Sequence, residues 1–200
     1  FVQALRVYQP SDVIQPWIEV LNGTKRYDLK EEVVGIVGEV NSRDLVIPLA
    51  QLLRSPVSSL RGKAVQTLVK VGDDRMYPYI LRLGESSNPV YRIYCLEALS
   101  YLYDKRFYGI VTTLLKDENK SIRIYALDCI YRNNLKDALP VVREMALSDS
   151  DRETRIRSID CIGDFTDEKS LYILLKTLTD PDRDIRLATV RALDKLRQAS

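Results

Sequence analysis

Apolar residues recur along the chain with the spacing of amphipathic helices, and this pattern repeats about every 31 residues. Five stretches begin with an arginine and continue with small or aliphatic residues at the fourth, fifth, seventh and eighth positions: RGKAVQTLVKV from Arg61, RIYCLEALSYL from Arg92, RIYALDCIYRN from Arg123, RIRSIDCIGDF from Arg155 and RLATVRALDKL from Arg186. Offsets of three and four residues place these positions on one helical face. Each stretch is therefore predicted to form a helix, called helix A, whose small residues let a neighbouring helix approach closely.

A second apolar stretch follows each helix A and is predicted to form helix B of the same repeat. These stretches cover residues 46–53, 77–83, 108–115, 139–147 and 171–178. Capping residues followed by proline indicate where helix A starts, because proline is tolerated in the first helical turn. Three such pairs occur: Ser55-Pro56, Asn88-Pro89 and Asp180-Pro181.

Two weaker copies extend the pattern towards residue 1. One begins at Lys30, in the arginine position, and residues 12–21 resemble residues 44–53. A fixed period of this length is the signature of a repeat array. The sequence predicts one array over residues 1–200, divided approximately into 1–29 (partial), 30–54, 55–85, 86–116, 117–148, 149–179 and 180–200 (partial). The start at Phe1 and the end after a helix A also suggest a processed chain or a piece of a longer protein.

The repeat resembles the HEAT family, specifically the short subtype named after phycobilisome-lyase subunits. Ile122-Arg123 and Ile185-Arg186 match the Val/Ile-Arg motif of that subtype, whereas Tyr91-Arg92 and Thr154-Arg155 depart from it. The resemblance implies an all-α fold: a right-handed α-solenoid of about six stacked antiparallel helix pairs, a HEAT/armadillo-like superhelix. It implies no single function, because one fold hosts many unrelated activities.

An arginine near the start of a helix opposes the helix dipole, so the five arginines in register require a compensating acid. Asp117, Asp149 and Asp180 each lie six residues before an arginine, whereas serine occupies that position before Arg61 and Arg92. In related HEAT proteins an Asp–Arg ladder links neighbouring repeats, and these residues resemble it. We expect Arg123→Ala to cost roughly 1–3 kcal/mol by leaving an acid unpaired. The alternative is a row of arginines that binds an anion.

The residue types needed for common catalytic sites are scarce. The chain contains no histidine, which removes histidine-based catalysis and histidine metal ligands. Deoxyhypusine hydroxylase resembles this repeat but holds iron through His-Glu motifs, which this chain lacks. Cys95, Cys129 and Cys161 lie one per repeat at core positions, without the spacing of a zinc site. We therefore expect no enzyme activity, no cofactor and no metal, although a Ser-Lys or Asp-based enzyme stays open.

The first candidate binding surface consists of helix B residues that should point outward. Two positions of each helix B lie between its aliphatic anchors. They are Ala50 and Gln51, Leu81 and Arg82, Thr112 and Thr113, Arg143 and Glu144, and Leu175 and Lys176. This mixed surface favours a protein or peptide partner over a duplex, which needs more positive charge. Charge reversal at Arg82 and Arg143 is expected to weaken binding without unfolding the chain.

The second candidate surface is a group of tyrosines and cations on helix A. Its members are Lys63, Tyr94, Tyr101, Tyr125 and Arg157. Aromatic residues beside cations are enriched at interfaces, but phenols also simply cover helix stems. Trp17, the single tryptophan, is expected to fill the core rather than anchor a partner.

The net charge of +2 disfavours a nucleic-acid partner, although a basic stripe could form in three dimensions. No apolar run reaches the length of a membrane span. The leading hypothesis is a protein-binding scaffold or adaptor; the alternatives are a chromophore-lyase-like or chaperone subunit and a nucleic-acid-binding HEAT-like protein. The unpaired cysteines favour a cytoplasmic location, and the start at Phe1 leaves a processed, exported chain open.

Overall fold

The computed structural model describes residues 10–40, 42–102 and 104–199, and from residue 14 onward it also describes their side chains. Within these ranges the secondary structure is all α, with twelve α-helices and no strand. The chain forms two compact units, residues 1–102 and 103–200. The all-α fold class is confirmed, and the single uninterrupted array stays a prediction.

The first unit contains six helices. They are α1 (Pro10–Gly23), α2 (Tyr27–Val40), α3 (Val46–Gln51), α4 (Ser58–Val71), α5 (Tyr77–Gly84) and α6 (Pro89–Leu102). The second unit contains α7 (Tyr108–Leu114), α8 (Lys120–Arg132), α9 (Leu139–Ser148), α10 (Arg152–Asp164), α11 (Leu171–Thr177) and α12 (Arg183–Ala199). The even-numbered helices correspond to helix A of the sequence repeat, and the odd-numbered helices correspond to helix B.

Each A helix packs on the B helix that precedes it and on the neighbouring A helices of its unit. The packed pairs are α1/α2, α3/α4 and α5/α6 in the first unit, and α7/α8, α9/α10 and α11/α12 in the second. The linkers between paired helices are short, and packed helices joined by so short a linker run antiparallel. Each unit is thus a stack of three helix pairs, with A helices in one layer and B helices in the other.

Short capped turns define where the B helices begin. A single 3₁₀ turn precedes each of α3, α5, α7, α9 and α11. Ser42, Asp73 and Asp104 cap three of these turns, each accepting the N–H of the residue two positions later. Their side chains replace a missing helical hydrogen bond, which fixes the start of the turn.

A left-handed residue lies in several of the tight turns between an A helix and the following B helix. Gly72, Asn134 and Thr166 have φ values of 62°, 51° and 47°. Glycine adopts this conformation freely and asparagine tolerates it, whereas a β-branched threonine is strained there. The turn therefore ends helix A through backbone geometry even where glycine is absent.

The core is the ribbon of aliphatic residues that the repeat predicts. The small residue at the fourth position is fully buried in all five repeats and lies on the contact face of its helix: Ala64, Cys95, Ala126, Ser158 and Thr189. Trp17 is 1% exposed, as expected of a core residue. All three cysteines are buried and free, and burial raises the pKa of the Cys129 and Cys161 thiols to about 12. These thiols act as small hydrophobic side chains.

Two details of the sequence analysis were wrong. Helix α4 begins at Ser58 and α12 at Arg183, so Pro56 and Pro181 lie in the preceding loops rather than in the first helical turn. Ser55 and Asp180 instead accept the N–H of the residue two positions later, which forms a turn before the helix. Asn88-Pro89 was right, because α6 begins at Pro89.

Candidate binding surfaces

In four of the five repeats that carry it, the recurrent arginine closes the loop in front of its own helix. Arg61, Arg92, Arg123 and Arg186 are each the fourth residue of an A helix. Each donates from Nη1 to the main-chain carbonyl oxygen of the residue six positions earlier, over 2.8–2.9 Å. A main-chain acceptor is available whatever the side chain, so serine serves as well as aspartate at that position. Lys30 donates similarly to the carbonyl of Leu21.

Arg123 also joins two successive helix pairs. Its Nε and Nη2 donate to the two carboxylate oxygens of Asp149, over 2.8 and 2.7 Å. The two side chains are only 10% and 6% exposed. A buried, two-pronged arginine–carboxylate pair is strong and geometrically specific. The acid belongs to the next pair, α9/α10, so this contact fixes how α9/α10 stacks on α7/α8.

Arg61 makes an equivalent link with a different acid. Its guanidinium binds the carboxylate of Glu97 on α6, with Nη2–Oε2 at 2.7 Å. The guanidinium carbon lies 3.7 Å from the centre of the Tyr94 ring, so the cation is also stacked on an aromatic face. Ser58 donates to the other Glu97 oxygen. The missing aspartate in this repeat is thus replaced from the neighbouring helix.

The link expected between neighbouring repeats is present at Arg123, but the expected pairing of each arginine with the carboxylate six residues before it was wrong. Asp117 and Asp180 accept the N–H of the residue two positions later, and each lends its arginine a carbonyl oxygen instead of a carboxylate. The carboxylate of Asp149 binds the arginine of the preceding repeat. Arg155 forms no such link: its Nε is buried without a hydrogen-bond partner among the described residues.

Exposed ion pairs connect neighbouring elements on the outer surface of the A layer. Lys63 binds Glu31, Lys120 binds Asp151, Arg152 binds Asp182 and Asp184, Arg191 binds Asp160, and Lys195 binds Asp164. Each pair joins two neighbouring A helices, or joins one A helix to the residues just before the next A helix. Each such pair is worth little alone because its cation is about half exposed to solvent. Together they pair many of the charged side chains on this surface with each other.

The carboxylates of Asp73 and Asp182 predict how stability depends on pH. Hydrogen bonds from Arg75 and Arg152 hold the pKa of Asp73 and of Asp182 at about 2. A carboxyl whose pKa is lower in the folded state stabilises it above its unfolded pKa of about 4. We expect the urea midpoint to fall as pH drops from about 4 to about 2. These carboxyls should leave it unchanged between pH 5 and 8, a range in which no histidine can titrate. A midpoint that already falls between pH 7 and 5 would contradict this assignment.

The exposed surface of the B layer is organised differently. One residue of each helix B from α3 to α11 is exposed at the same position of the repeat: Gln51 and Arg82 in the first unit, and Thr113, Glu144 and Lys176 in the second. We call this set the polar row. Its charged members form no ion pair with any other described residue. Lys176 Nζ lies 5.2 Å from the centre of the Tyr172 ring.

A second exposed row, four residues before the polar row, was missed by the sequence analysis. It consists of Ile47 and Pro78 in the first unit, and Gly109, Pro140 and Tyr172 in the second. We call it the apolar row. Residues four apart share a helix face, so the two rows lie side by side on each unit. The signal was present in the sequence as a recurrent small or apolar position at the start of helix B.

The residues just before the polar row do not all point outward, contrary to expectation. Ala50 is buried, and Leu81 and Thr112 are half-buried. Arg143 is also half-buried, because it donates to the carboxylate of Asp167 and, over 2.8 Å, to the Ser170 hydroxyl of the next pair. In the second unit, this position of α9 faces the turn that precedes α11. Leu175 is the exception and is 55% exposed.

The tyrosine group on helix A is only partly available. Tyr94 is half-buried under Arg61, and its ring centre lies 5.9 Å from that of Tyr91. Lys63 is engaged by Glu31. Tyr101 and Tyr125 are 40% and 49% exposed, and Arg157 is exposed. Because the Tyr94 ring is stacked against Arg61 and Tyr91, we interpret Tyr94 as a packing residue of the first unit rather than as part of a binding surface.

Clefts in the described part of the chain are shallow and of mixed charge. One of about 600 Å³ lies where the turn before α11 meets α9, lined by Lys136, Arg143, Thr166, Asp167 and Lys169 among others. The described residues include no cluster of three acidic or cysteine side chains that could hold a metal ion. Among the helices described here, none combines the length and apolar character that crossing a bilayer requires.

Comparison with known proteins identifies the family to which the repeats are similar. A family model described as HEAT repeats matches residues 14–100 and 109–194. Among proteins with curated descriptions, no sequence match is found.

Two solved structures share the fold at low sequence identity. A designed armadillo repeat protein in complex with the peptide (KR)4 is 13% identical, with a TM-score of 0.55, covering 90% of this chain and 98% of that one. Human deoxyhypusine hydroxylase in complex with glycerol is 16% identical, with a TM-score of 0.53, covering 98% and 88%. The complex of CpcE and CpcF of phycocyanin lyase from Nostoc sp. is 16% identical, with a TM-score of 0.43, covering 98% and 79%.

Proposed function

Since this chain belongs to the HEAT-repeat family, we propose that it is a non-enzymatic scaffold that binds a protein or peptide along the B-layer surface of its units. The observation that carries the proposal is the division of roles between the layers. Many charged side chains of the A layer hold neighbouring helix pairs together. The polar row of the B layer does not, so a partner can bind it without disturbing the fold.

The chemistry of the two rows suits an extended polypeptide. The apolar row offers Ile47, which is 42% exposed, and Tyr172, which is 56% exposed, as contacts for apolar side chains. The adjacent polar row offers Arg82, Glu144 and Lys176 as partners of either sign. Interfaces of this type combine aromatic and aliphatic anchors with a polar rim. The designed armadillo protein in complex with a peptide shows that a fold of this kind can bind one.

A nucleic-acid partner is less well supported by the same surface. Duplex binding relies on neutralising many phosphates with lysine and arginine. The polar row alternates in charge and includes Glu144, which would repel a phosphate. Charge reversal therefore discriminates between the two classes of partner.

The proposal predicts that charge reversals on the B layer weaken peptide binding. Peptides selected from a display library against the 200-residue chain serve as ligands, and fluorescence anisotropy gives the Kd. The double variant Arg82→Glu/Glu144→Arg changes one exposed residue in each unit and keeps the net charge. We expect it to raise the Kd about tenfold, which corresponds to losing about 1.4 kcal/mol of binding.

The matched control changes two exposed residues of the A layer, Glu39 and Arg157, which form no ion pair with another described residue. Glu39→Lys/Arg157→Glu also alters each unit once and keeps the net charge. We expect its Kd to stay within about twofold of the original value. The opposite pattern, or selection of duplex DNA in preference to peptide, would refute the proposed surface.

A further inference from the structure

The polar row of the second unit reverses its charge between two neighbouring B helices. Glu144 of α9 and Lys176 of α11 occupy the same position of the repeat, and both are exposed. Neither forms an ion pair with another described residue. Helix α9 contacts α11, and packed helices lie about 8–10 Å apart. The row therefore presents an acid and a base, one helix spacing apart, to a partner that binds the B layer.

Glu144 lines a cleft that suits a basic side chain. The cleft has a volume of about 300 Å³, and its lining includes the apolar side chains of Val141 and Met145. Lys116 also lines the cleft, but it is exposed on the loop after α7 rather than on α9. A lysine or arginine side chain buries its apolar stem while its charged head stays at the surface. Such a side chain can cover Val141 and Met145 and bind the Glu144 carboxylate.

Repeat equivalence places a second cation beside Lys176. Arg123 and Glu144 line the same cleft, and Arg155 and Lys176 occupy their positions 32 residues later. The two arginines differ in what they bind. Arg123 is buried and holds the carboxylate of Asp149 with two hydrogen bonds. Arg155 is half-buried, and its Nε has no hydrogen-bond partner among the described residues. A carboxylate near Lys176 can therefore pair with two cations.

The acids of the loops before α10 and α12 are engaged elsewhere. The Asp149 carboxylate binds Arg123, and the Asp180 carboxylate accepts the N–H of the residue two positions later. Neither acid forms an ion pair with Arg155 or Lys176 in the described part of the chain. A guanidinium binds a carboxylate strongly where water is partly excluded. This end of the polar row therefore favours an acidic group of the partner.

We propose that the B layer of the second unit binds an extended peptide in which a basic and an acidic residue stand three positions apart. The basic residue binds Glu144, and the acidic residue binds Lys176 and Arg155. An extended strand rises about 3.3 Å per residue, so three residues span the spacing of two packed helices. Either order of the two residues satisfies the pattern, because a peptide can lie across the helices in either direction. The inference rests on the proposed function, since it names the class of peptide that the same surface accepts.

The test uses four short fluorescein-labelled peptides built on one host sequence of serine, threonine and a single leucine. They differ only in two charged positions: Arg-X-X-Glu, Arg-Glu with the two residues adjacent, Arg-X-X-Arg and Glu-X-X-Glu. Fluorescence anisotropy with the full 200-residue chain gives each Kd. We expect Arg-X-X-Glu to bind about tenfold more tightly than the adjacent version, which has the same composition and net charge. The two like-charged peptides should bind about tenfold more weakly as well.

Variants of the chain assign the preference to particular side chains. Lys176→Glu changes an exposed residue and should reverse the preference, so that Arg-X-X-Arg becomes the tightest ligand. Arg157→Glu makes the same change of charge on the exposed side of α10, in the A layer, and should leave Arg-X-X-Glu the tightest. Arg155→Gln removes the charge but keeps a polar side chain, and it should weaken Arg-X-X-Glu about fivefold.

Several results would overturn the inference. They are equal Kd values for the spaced and adjacent peptides, tighter binding of Glu-X-X-Glu by the original chain, and no binding of any of the four peptides. The same holds if Lys176→Glu and Arg157→Glu have equal effects or if Arg155→Gln has none. Library-selected peptides that Arg82→Glu/Glu144→Arg still weakens would then leave the proposed function standing while this sequence preference fails.

Discussion

Replacing Arg123 with alanine is expected to lower the free energy of unfolding by about 3 kcal/mol, because it leaves the Asp149 carboxylate buried without its cation. The loss includes the hydrogen bonds to that carboxylate, in the stacking contact of α7/α8 with α9/α10, and the hydrogen bond to the Asp117 carbonyl in the loop before α8. Urea unfolding followed by far-ultraviolet circular dichroism measures it. The expected loss is at the upper end of the range of roughly 1–3 kcal/mol expected from the sequence, because both side chains are buried.

Arg152→Ala is the matched control, since Arg152 also binds aspartates of the following repeat but is 52% exposed. An exposed pair contributes about 0–1 kcal/mol, so the control should change stability little. In a double-mutant cycle, the double variant Arg123→Ala/Asp149→Ala should lose less free energy of unfolding than the two single variants lose in sum. Equal effects of Arg123→Ala and Arg152→Ala would mean that burial of the pair is not what fixes the stacking.

Replacing Gly163 with alanine is expected to destabilise the second unit by about 3 kcal/mol, because the added methyl overpacks the contact between α10 and α12. A Cβ atom at Gly163 would lie 2.8 Å from both the Cα and the Cβ of Ala192. One of these atoms is backbone, so relief requires the two helices to separate. Separation would loosen the buried Cys161 and Ile162 contacts beside it. Thermal unfolding monitored by circular dichroism measures the loss.

Gly35→Ala serves as the control for Gly163→Ala. Gly35 lies in α2, and no neighbouring atom comes within 4 Å of the position that a Cβ atom would take there. Alanine is favoured over glycine inside a helix by up to about 1 kcal/mol, so this change should stabilise the protein. If both alanine variants changed stability in the same direction, the close approach of α10 and α12 would be in doubt.

The helical repeat was predictable from sequence because its signals are local. Small residues at fixed offsets, such as Ala64 and Ala126, reveal the buried face of each A helix directly. The outcome at Val190 shows the limit: its offset predicts burial, yet it is 54% exposed because burial depends on which helix stacks next. Periodicity identifies a face suited to packing and says nothing about what covers it.

The partners of the arginines were not predictable for a related reason. Arg61 binds Glu97, 36 residues away, and Arg123 binds Asp149, 26 residues away. Sequence proximity favoured the acid six residues before each arginine, but there the backbone carbonyl is the acceptor. The packing of successive pairs, which depends on several helices at once, decides which acid reaches the guanidinium. The same packing turns Arg143 away from the solvent.

Hydrogen–deuterium exchange on the complex with a selected peptide tests the central claim most directly, because it reports which layer the partner covers. Added protection is expected at the exposed starts of the B helices, around Pro78 in α5 and Pro140 in α9, with the A helices unchanged. Protection confined to the outer surfaces of α4, α6, α8 and α10 would contradict the proposal that the B layer is the binding surface.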